Sequence, residues 1–322
     1  MRLVADWLQR PALVALIDAL STDGPAPRLV GGCVRDGLLG RSVADIDLAT
    51  PLPPEAVIVA LESADIRVVP TGIDHGTVTA VIDGVGYEVT TLRRDVATDG
   101  RRAVVAFTDD WRGDAARRDF TMNAMSSEPD GTLHDYFGGA ADARNGVVRF
   151  VGDPATRIAE DYLRVPRFFR FMAWYGRSAP PEDVMRAISA SIPKLDGLVA
   201  ERVRAELLRW LGAPDPRWSW DLAESAGLAI WLFGDVDTAR FNRLVGREID
   251  RGLPAESLRR LAALALPPGP GSTETANRFR LSRAEARYLA ALEAAVPAAR
   301  QALTADDARR LAYRSGPAVA RD

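Results

Sequence analysis

An α+β fold is predicted for this 322-residue chain: a small mixed or antiparallel sheet with helices over residues 1–150, then helices alone. Three observations predict it. Short β-branched runs bounded by Gly, Pro and Asp stop near residue 150. Beyond that point apolar residues recur at helical spacing. Finally, 47% of the residues are apolar, enough to bury a core in each of two or three domains, and a charged fraction of 26% excludes global disorder.

The elements follow in order. Leu13, Leu16, Ile17 and Leu20 have helical spacing, so residues 12–20 read as a helix, ended by the Gly/Pro segment before Arg28. Arg28-Leu29-Val30 reads as a strand running into Gly31-Gly32, and Cys33–Leu39 as a short helix stopped by Gly40. Ile46-Asp47-Leu48 is strand-like, and Pro53-Pro54 opens a helix over 54–64. Ile66–Val69, Thr77–Ile82 and Tyr87–Leu92 read as strands, with Asp83-Gly84 as a hairpin turn. Helices are predicted over 158–175, 181–192, 199–211 and 218–232. Pro267–Pro270 marks a break, Ser282 with Glu285 a capping box, and Thr304 with Asp307 another helix start.

Composition narrows the function classes. No apolar run approaches the roughly 20 residues of a membrane helix, and Met1–Gln9, with its early Asp6, does not read as a signal peptide. A lone cysteine, Cys33, forms no internal disulfide and no Cys-rich zinc site, which fits a reducing cytoplasm. Net charge is −3, against indiscriminate coating of nucleic acid, although a local patch can still hold phosphate. Lys194 is the only lysine, so nearly all positive charge is arginine, a side chain that grips phosphate with two bonds. No obligate protein partner is evident.

Three constellations carry candidate chemistry. In the first, Gly31 and Gly32 lie between strand and helix, where a bare backbone and a helix N-terminus suit phosphate, and Arg35 adds a guanidinium. Taken alone, the two glycines read better as a tight strand-to-helix turn with a surface arginine. Asp45 and Asp47 at i and i+2 of a strand point one way and suit Mg2+, whose hard-oxygen preference includes phosphate; the plain alternative is two solvated aspartates. Glu88, on a hairpin strand, can join the same face or stay a solvent-facing edge residue. In the second constellation, Arg118 suits a triphosphate, Asp119 an arginine, and Asn123 a turn or a ribose. The third is Glu160-Asp161-x-x-Arg164, followed by Arg167 and Arg170. On one helix Asp161 and Arg164 are neighbours. A carboxylate that accepts from a base amine, beside a guanidinium that donates to a ring nitrogen, accepts C and A and rejects U and G. A helical salt-bridge ladder is the alternative.

Together, Leu29 to Arg41 with Asp45-Ile46-Asp47, Arg117-Arg118-Asp119 to Asn123, Asp135 to Gly139, Glu160-Asp161-x-x-Arg164, and Glu201-Arg202 with Glu206-Leu207 resemble the ordered motifs of bacterial class II CCA-adding enzymes, relatives of bacterial poly(A) polymerases. The resemblance spans residues 28–210. It implies a nucleotidyltransferase head (1–150), a helical neck that recognises the base (151–215), and a helical body with a truncated tail (216–322). It further implies Mg2+-dependent addition of C, C and A from CTP and ATP to the tRNA 3′ end, with release of pyrophosphate. Asp45 and Asp47 would hold the metal, with Glu88 the third acid. Gly31, Gly32, Arg35, Arg118, Asp119 and Asn123 would bind the nucleotide, Asp161 and Arg164 would read the base, and Arg167 and Arg170 would support that site.

The stretch from Arg93 to Arg117, with Asp99-Gly100-Arg101-Arg102, looks like the loop of enzymes that add A, which favours full CCA addition over CC-only. A-only addition, poly(A) synthesis and a tRNA-binding protein with impaired catalysis remain the alternatives. Two departures stand out. Pro166 is expected to kink the base-reading helix, so Pro166→Leu is expected to stabilise it. The chain stops soon after Leu311-Ala312-Tyr313, which leaves Arg278, Arg280, Arg283 and Arg287 for the tRNA backbone and implies weak tRNA affinity. His75 and Cys33 read as structural, and His134 has no evident partner in the sequence.

Overall fold

The computed structural model describes residues 1–22, 24–98, 103–236, 238–267 and 269–301; of residues 74, 95–98, 103–105 and 298–301 it describes the backbone alone. The Asp99–Arg102 loop tip, the helix start at Thr304 and Asp307, and Leu311–Tyr313 lie outside the described residues. The chain divides into two compact units. The first contains Met1–Asp161 with Arg177–Pro180, and the second Tyr162–Gly176 with the chain from Pro181 onward.

In the first unit, α1 (Pro11–Ser21) precedes β1 (Arg28–Val30), α2 (Gly32–Leu38), β2 (Asp47–Thr50) and α3 (Pro54–Ser63). There follow β3 (Arg67–Gly72), β4 (Thr77–Ile82) and β5 (Val85–Thr91). A ribbon of β6 (Arg93–Thr98) and β7 (Ala103–Phe107) leads to α4 (Trp111–Ala116), β8 (Met125–Ser127), β9 (Leu133–Asp135), α5 (Gly139–Asn145) and α6 (Pro154–Glu160). The main sheet has seven strands in the order β3-β4-β5-β2-β1-β8-β9. It is mixed: β2 and β5 run parallel and the other neighbours antiparallel. Asp83 and Gly84 both have positive φ (52° and 77°), as a two-residue hairpin turn between β4 and β5 requires.

Alternation decides which side of this sheet is chemical. Leu48, Val89 and Val78 are almost fully buried and pack with Leu13, Leu16, Val57 and Leu61 of α1 and α3. Because successive strand residues face opposite sides, the partners one residue away, Asp47, Glu88 and Thr79, line up on the other face. The register sets Asp47 opposite Glu88 and Glu88 opposite Thr79.

The second unit is helical: α7 (Arg164–Tyr175), α8 (Glu182–Ser191), α9 (Ala200–Leu211), α10 (Arg217–Ser225), α11 (Leu228–Phe233), α12 (Thr238–Asp250), α13 (Ser257–Ala265), α14 (Ser272–Phe279) and α15 (Arg283–Gln301). An aromatic column forms its core, with ring-centroid distances of 5.6 Å for Phe169–Trp210, 5.1 Å for Trp210–Trp220 and 5.4 Å for Trp220–Phe241. The capping box at α15 is reciprocal: Ser282 N donates to Glu285 at 2.6 Å, and Glu285 N donates to the Ser282 hydroxyl at 3.3 Å.

Several expectations need correction. The helix expected over 158–175 is two helices, because Asp161 is extended (φ −152°, ψ 104°) at the end of α6. Asp161 and Arg164 therefore do not share a helix, and Glu160 pairs with Arg157 at 2.6 Å. Pro166 does not kink α7. It is the third residue, where its missing N–H has no helical acceptor to lose. The carbonyl of Tyr162 instead accepts from Val165 N at 3.1 Å. The helix expected over 218–232 is likewise split, at Gly227 (φ 86°). Asp45 lies just outside strand β2. The flanks of the expected 93–117 loop form the β6–β7 ribbon, and β8 and β9 are added to the sheet.

Candidate active site

The first unit gathers the residues of the first two constellations. Gly31, between β1 and α2, has φ 71° and ψ −123°, a conformation open essentially to glycine alone. A Cβ at this position would lie 3.0 Å from a terminal nitrogen of Arg118. The bare turn thus lets the Arg118 guanidinium reach the start of α2, while Asp114 accepts from Arg118 at 3.3 Å and from Arg117 Nε at 2.9 Å. Burial opposes ionisation of Asp114, but Arg118 and Arg117 outweigh it and hold the carboxyl below the usual range. The sequence reading missed Asp114, whose i,i+3 and i,i+4 spacing from the two arginines was the available signal.

Arg35 is buried and heavily engaged. It donates to Asp36 through Nε (3.0 Å) and a terminal nitrogen (2.7 Å), and to Asn123 Oδ1 at 2.5 Å. Asn123 in turn donates to Asp119 at 2.9 Å, and Asp119 accepts from Phe120 N at 2.8 Å. Asp119, Asn123 and Arg35 are therefore one buried chain of hydrogen bonds that ties the 119–123 segment to α2. Asp119 and Arg35 share Asn123 as a hydrogen-bond partner.

The acids form the electrostatic centre. Burial pushes Asp47 up to about 6, with Glu88 and Asp45 adding like-charge repulsion and Arg118 partly offsetting it. Asp47 is thus within electrostatic reach of Glu88, Arg118 and Asp45. Among the described residues no three acidic, His or Cys side chains close into a ready-made metal cage. Two aspartates that repel each other, offering only oxygen, nevertheless fit a cation that keeps waters and takes phosphate oxygens as further ligands.

Neighbouring groups are structural. Cys33 Sγ contacts Val30 O at 3.3 Å, and burial raises its thiol to about 11, so it is inert at neutral pH. The His75 carbonyl accepts from Arg93. His134 does have a partner, Glu128, at 2.7 Å. Asp135 caps the start of α5, accepting from Gly139 N (2.8 Å) and Ala140 N (3.0 Å).

The second unit holds the remaining arginines. On α7, Arg164 is the first residue, and Arg167 and Arg170 follow one turn apart. Buried Glu206 on α9 receives both, Arg170 Nε at 2.5 Å and Arg167 at 3.5 Å. Arg170 also lies over the Phe171 ring at 4.5 Å. Glu206 was noticed only as part of a motif; its i+5 distance from Glu201 gives no sign that it anchors α7.

Comparison with known proteins gives a consistent picture. Residues 27–149 match the family model described as "Poly A polymerase head domain", and residues 180–239 match "Probable RNA and SrmB- binding site of polymerase A". The mitochondrial CCA tRNA nucleotidyltransferase 1 of Danio rerio is 42% identical over 223 residues, covering 67% of this chain and 51% of that protein. The CCA-adding enzyme of Leuconostoc mesenteroides is 39% identical over 216 residues, 66% of this chain and 52% of that protein. The chain thus spans about half the length of the curated relatives it matches. The crystal structure of the Bacillus stearothermophilus CCA-adding enzyme in complex with CTP superposes with a TM-score of 0.81 at 30% identity, covering 97% of this chain and 76% of that one.

Proposed function

This chain belongs to the family of CCA-adding enzymes, and we propose that it adds C, C and A, without a template, to the 3′ end of tRNA from CTP and ATP. The observation that carries this reading is the row formed by Asp47 and Glu88, beside Asp45, with Arg118 reaching the Gly31 turn. The relatives' names and the CTP complex of the superposed enzyme support it.

In this reading residues 1–150 are the catalytic head, 151–215 the neck, and 216–322 the body and tail. Asp45 and Asp47 would hold Mg2+, which supplies charge neutralisation at the α-phosphate and the leaving pyrophosphate. Glu88 keeps the site anionic and orients what Asp47 holds. Arg118, steadied by Asp114, binds the triphosphate against the bare Gly31-Gly32 backbone at the start of α2. Arg35, Asp119 and Asn123 act mainly by fixing that turn, because their polar atoms already bond one another. Asp161 and Arg164 read the base, and Glu206 holds Arg167 and Arg170 in support. The tRNA 3′ oxygen attacks the α-phosphorus as the bond to pyrophosphate breaks, an in-line displacement that depends on positioning and charge.

Among the described residues no helix is long and apolar enough to cross a membrane. A cytoplasmic setting is part of the proposal, and mitochondrial relatives show that the family also works elsewhere. The test is incorporation into tRNA lacking one, two or three 3′ nucleotides, with CTP and ATP supplied separately and together. Ordered completion of CCA supports the reading. Extension by A alone, by CC alone, by a long A tract, or not at all would overturn it.

A further inference from the structure

A cavity lies wholly within the helical unit, with a volume of about 540 Å³. The C-terminal half of α7 walls it with Arg170, Trp174 and Tyr175, the last turn of α9 with Arg209, and the start of α13 with Ser257. No acidic side chain lines it, although the chain as a whole carries net charge −3. Its floor is opened by Gly212, where a Cβ would lie 2.8 Å from the Ser257 hydroxyl.

The walls have complementary chemistry. Trp174 is 36% exposed, yet its ring is held in place because the indole N–H donates to the Arg209 carbonyl at 2.8 Å. A pinned, half-open indole is a stacking platform. The Arg209 guanidinium is exposed and has no ion-pair or hydrogen-bond partner among the described residues. Arg170, fixed through Nε to Glu206, adds a second positive group. An aromatic face, a free guanidinium and a hydroxyl around one cavity match a base, a phosphate and a ribose. The volume falls within the roughly 300–1,000 Å³ of small-molecule pockets, which suits a single nucleotide.

We propose that this cavity is a nucleotide-binding site separate from the acidic centre, stacking one base on Trp174 and holding its phosphate with Arg209. The nucleotide is either free in solution or an unpaired unit of a bound RNA, and the chemistry of recognition is the same. The proposal does not rest on the proposed transferase activity.

Tryptophan fluorescence of the full chain tests it. CMP, AMP and a short single-stranded RNA are titrated separately, without divalent metal. The Trp174 signal is the difference between the wild-type chain and Trp174→Phe. Saturable quenching of that signal is expected, weakened about tenfold by Arg209→Gln, as loss of a charge-assisted contact implies. Arg209→Gln alters an exposed side chain, so should Trp174→Phe disturb α9, the total tryptophan quench of Arg209→Gln against that of the wild-type chain still reads the site. Asp47→Asn should leave the quench intact, which separates this site from the acidic centre. Quenching by mononucleotides identifies a free ligand, and quenching by RNA alone identifies a strand subsite. If none of the three ligands quenches Trp174 at millimolar concentration, or if the quench is unchanged in Arg209→Gln, the proposal is wrong.

Discussion

Asp47 and Glu88 stand directly opposite each other on neighbouring parallel strands, their carboxyls on the face of the sheet away from its apolar core. This repulsive pairing gives the first prediction. Folding raises Asp47 from its unfolded value of 3.8 to about 6. The native state therefore binds more protons between these values, and stability falls as pH rises from about 4 to about 6. Asp47→Asn should abolish incorporation while stabilising the fold at pH 7 by about 1–2 kcal/mol, after allowance for partial solvent screening. Thermal melts of both chains across pH 4–8 check this; a variant less stable than wild type at pH 7 would contradict it.

Pro166→Leu should leave stability unchanged or lower it by up to about 1 kcal/mol, because proline at this position restricts the unfolded chain at no cost to the helix. Denaturant melts decide the sign. A clear gain would restore the kinked-helix expectation that the break at Asp161 removes.

Glu206→Ala should destabilise the second unit by about 1–3 kcal/mol, since it removes the buried carboxylate that Arg170 and Arg167 share. Glu206→Gln should cost less, because its amide oxygen still accepts. Urea unfolding orders the two variants. In incorporation assays the Gln form should raise the KM for nucleotide more than it lowers kcat.

Gly31→Ala should destabilise the first unit by about 1–3 kcal/mol through its positive φ. It should also displace Arg118, which sits 3.0 Å from the new methyl position. Calorimetry reads the first effect and a raised nucleotide KM the second. Normal nucleotide binding in a folded variant would separate Arg118 from the turn.

The sequence revealed more of the first unit than of the second. The Asp83-Gly84 turn, the strands through Leu48 and Val89, and the Ser282 capping box are local patterns, and local physics sets them. The pairing of Glu88 with Asp47 was one of two open readings, because strand neighbours are chosen by topology. The break at Asp161 was missed for a related reason: helical periodicity continues on both sides of it, and a proline in a first turn looks like one in a helix interior until the start of the helix is known. Asp114 and Glu206 escaped because a buried carboxylate and a solvated one are spelled alike.

The acidic row has a consequence for assembly. All of α3, β3 and β4 separates Asp47 from Glu88 along the chain, and a parallel pairing forms only after that whole excursion has folded back onto the sheet. A partly synthesised chain released before β5 carries no such row. The row of facing carboxylates is therefore completed late, as a by-product of finishing the sheet.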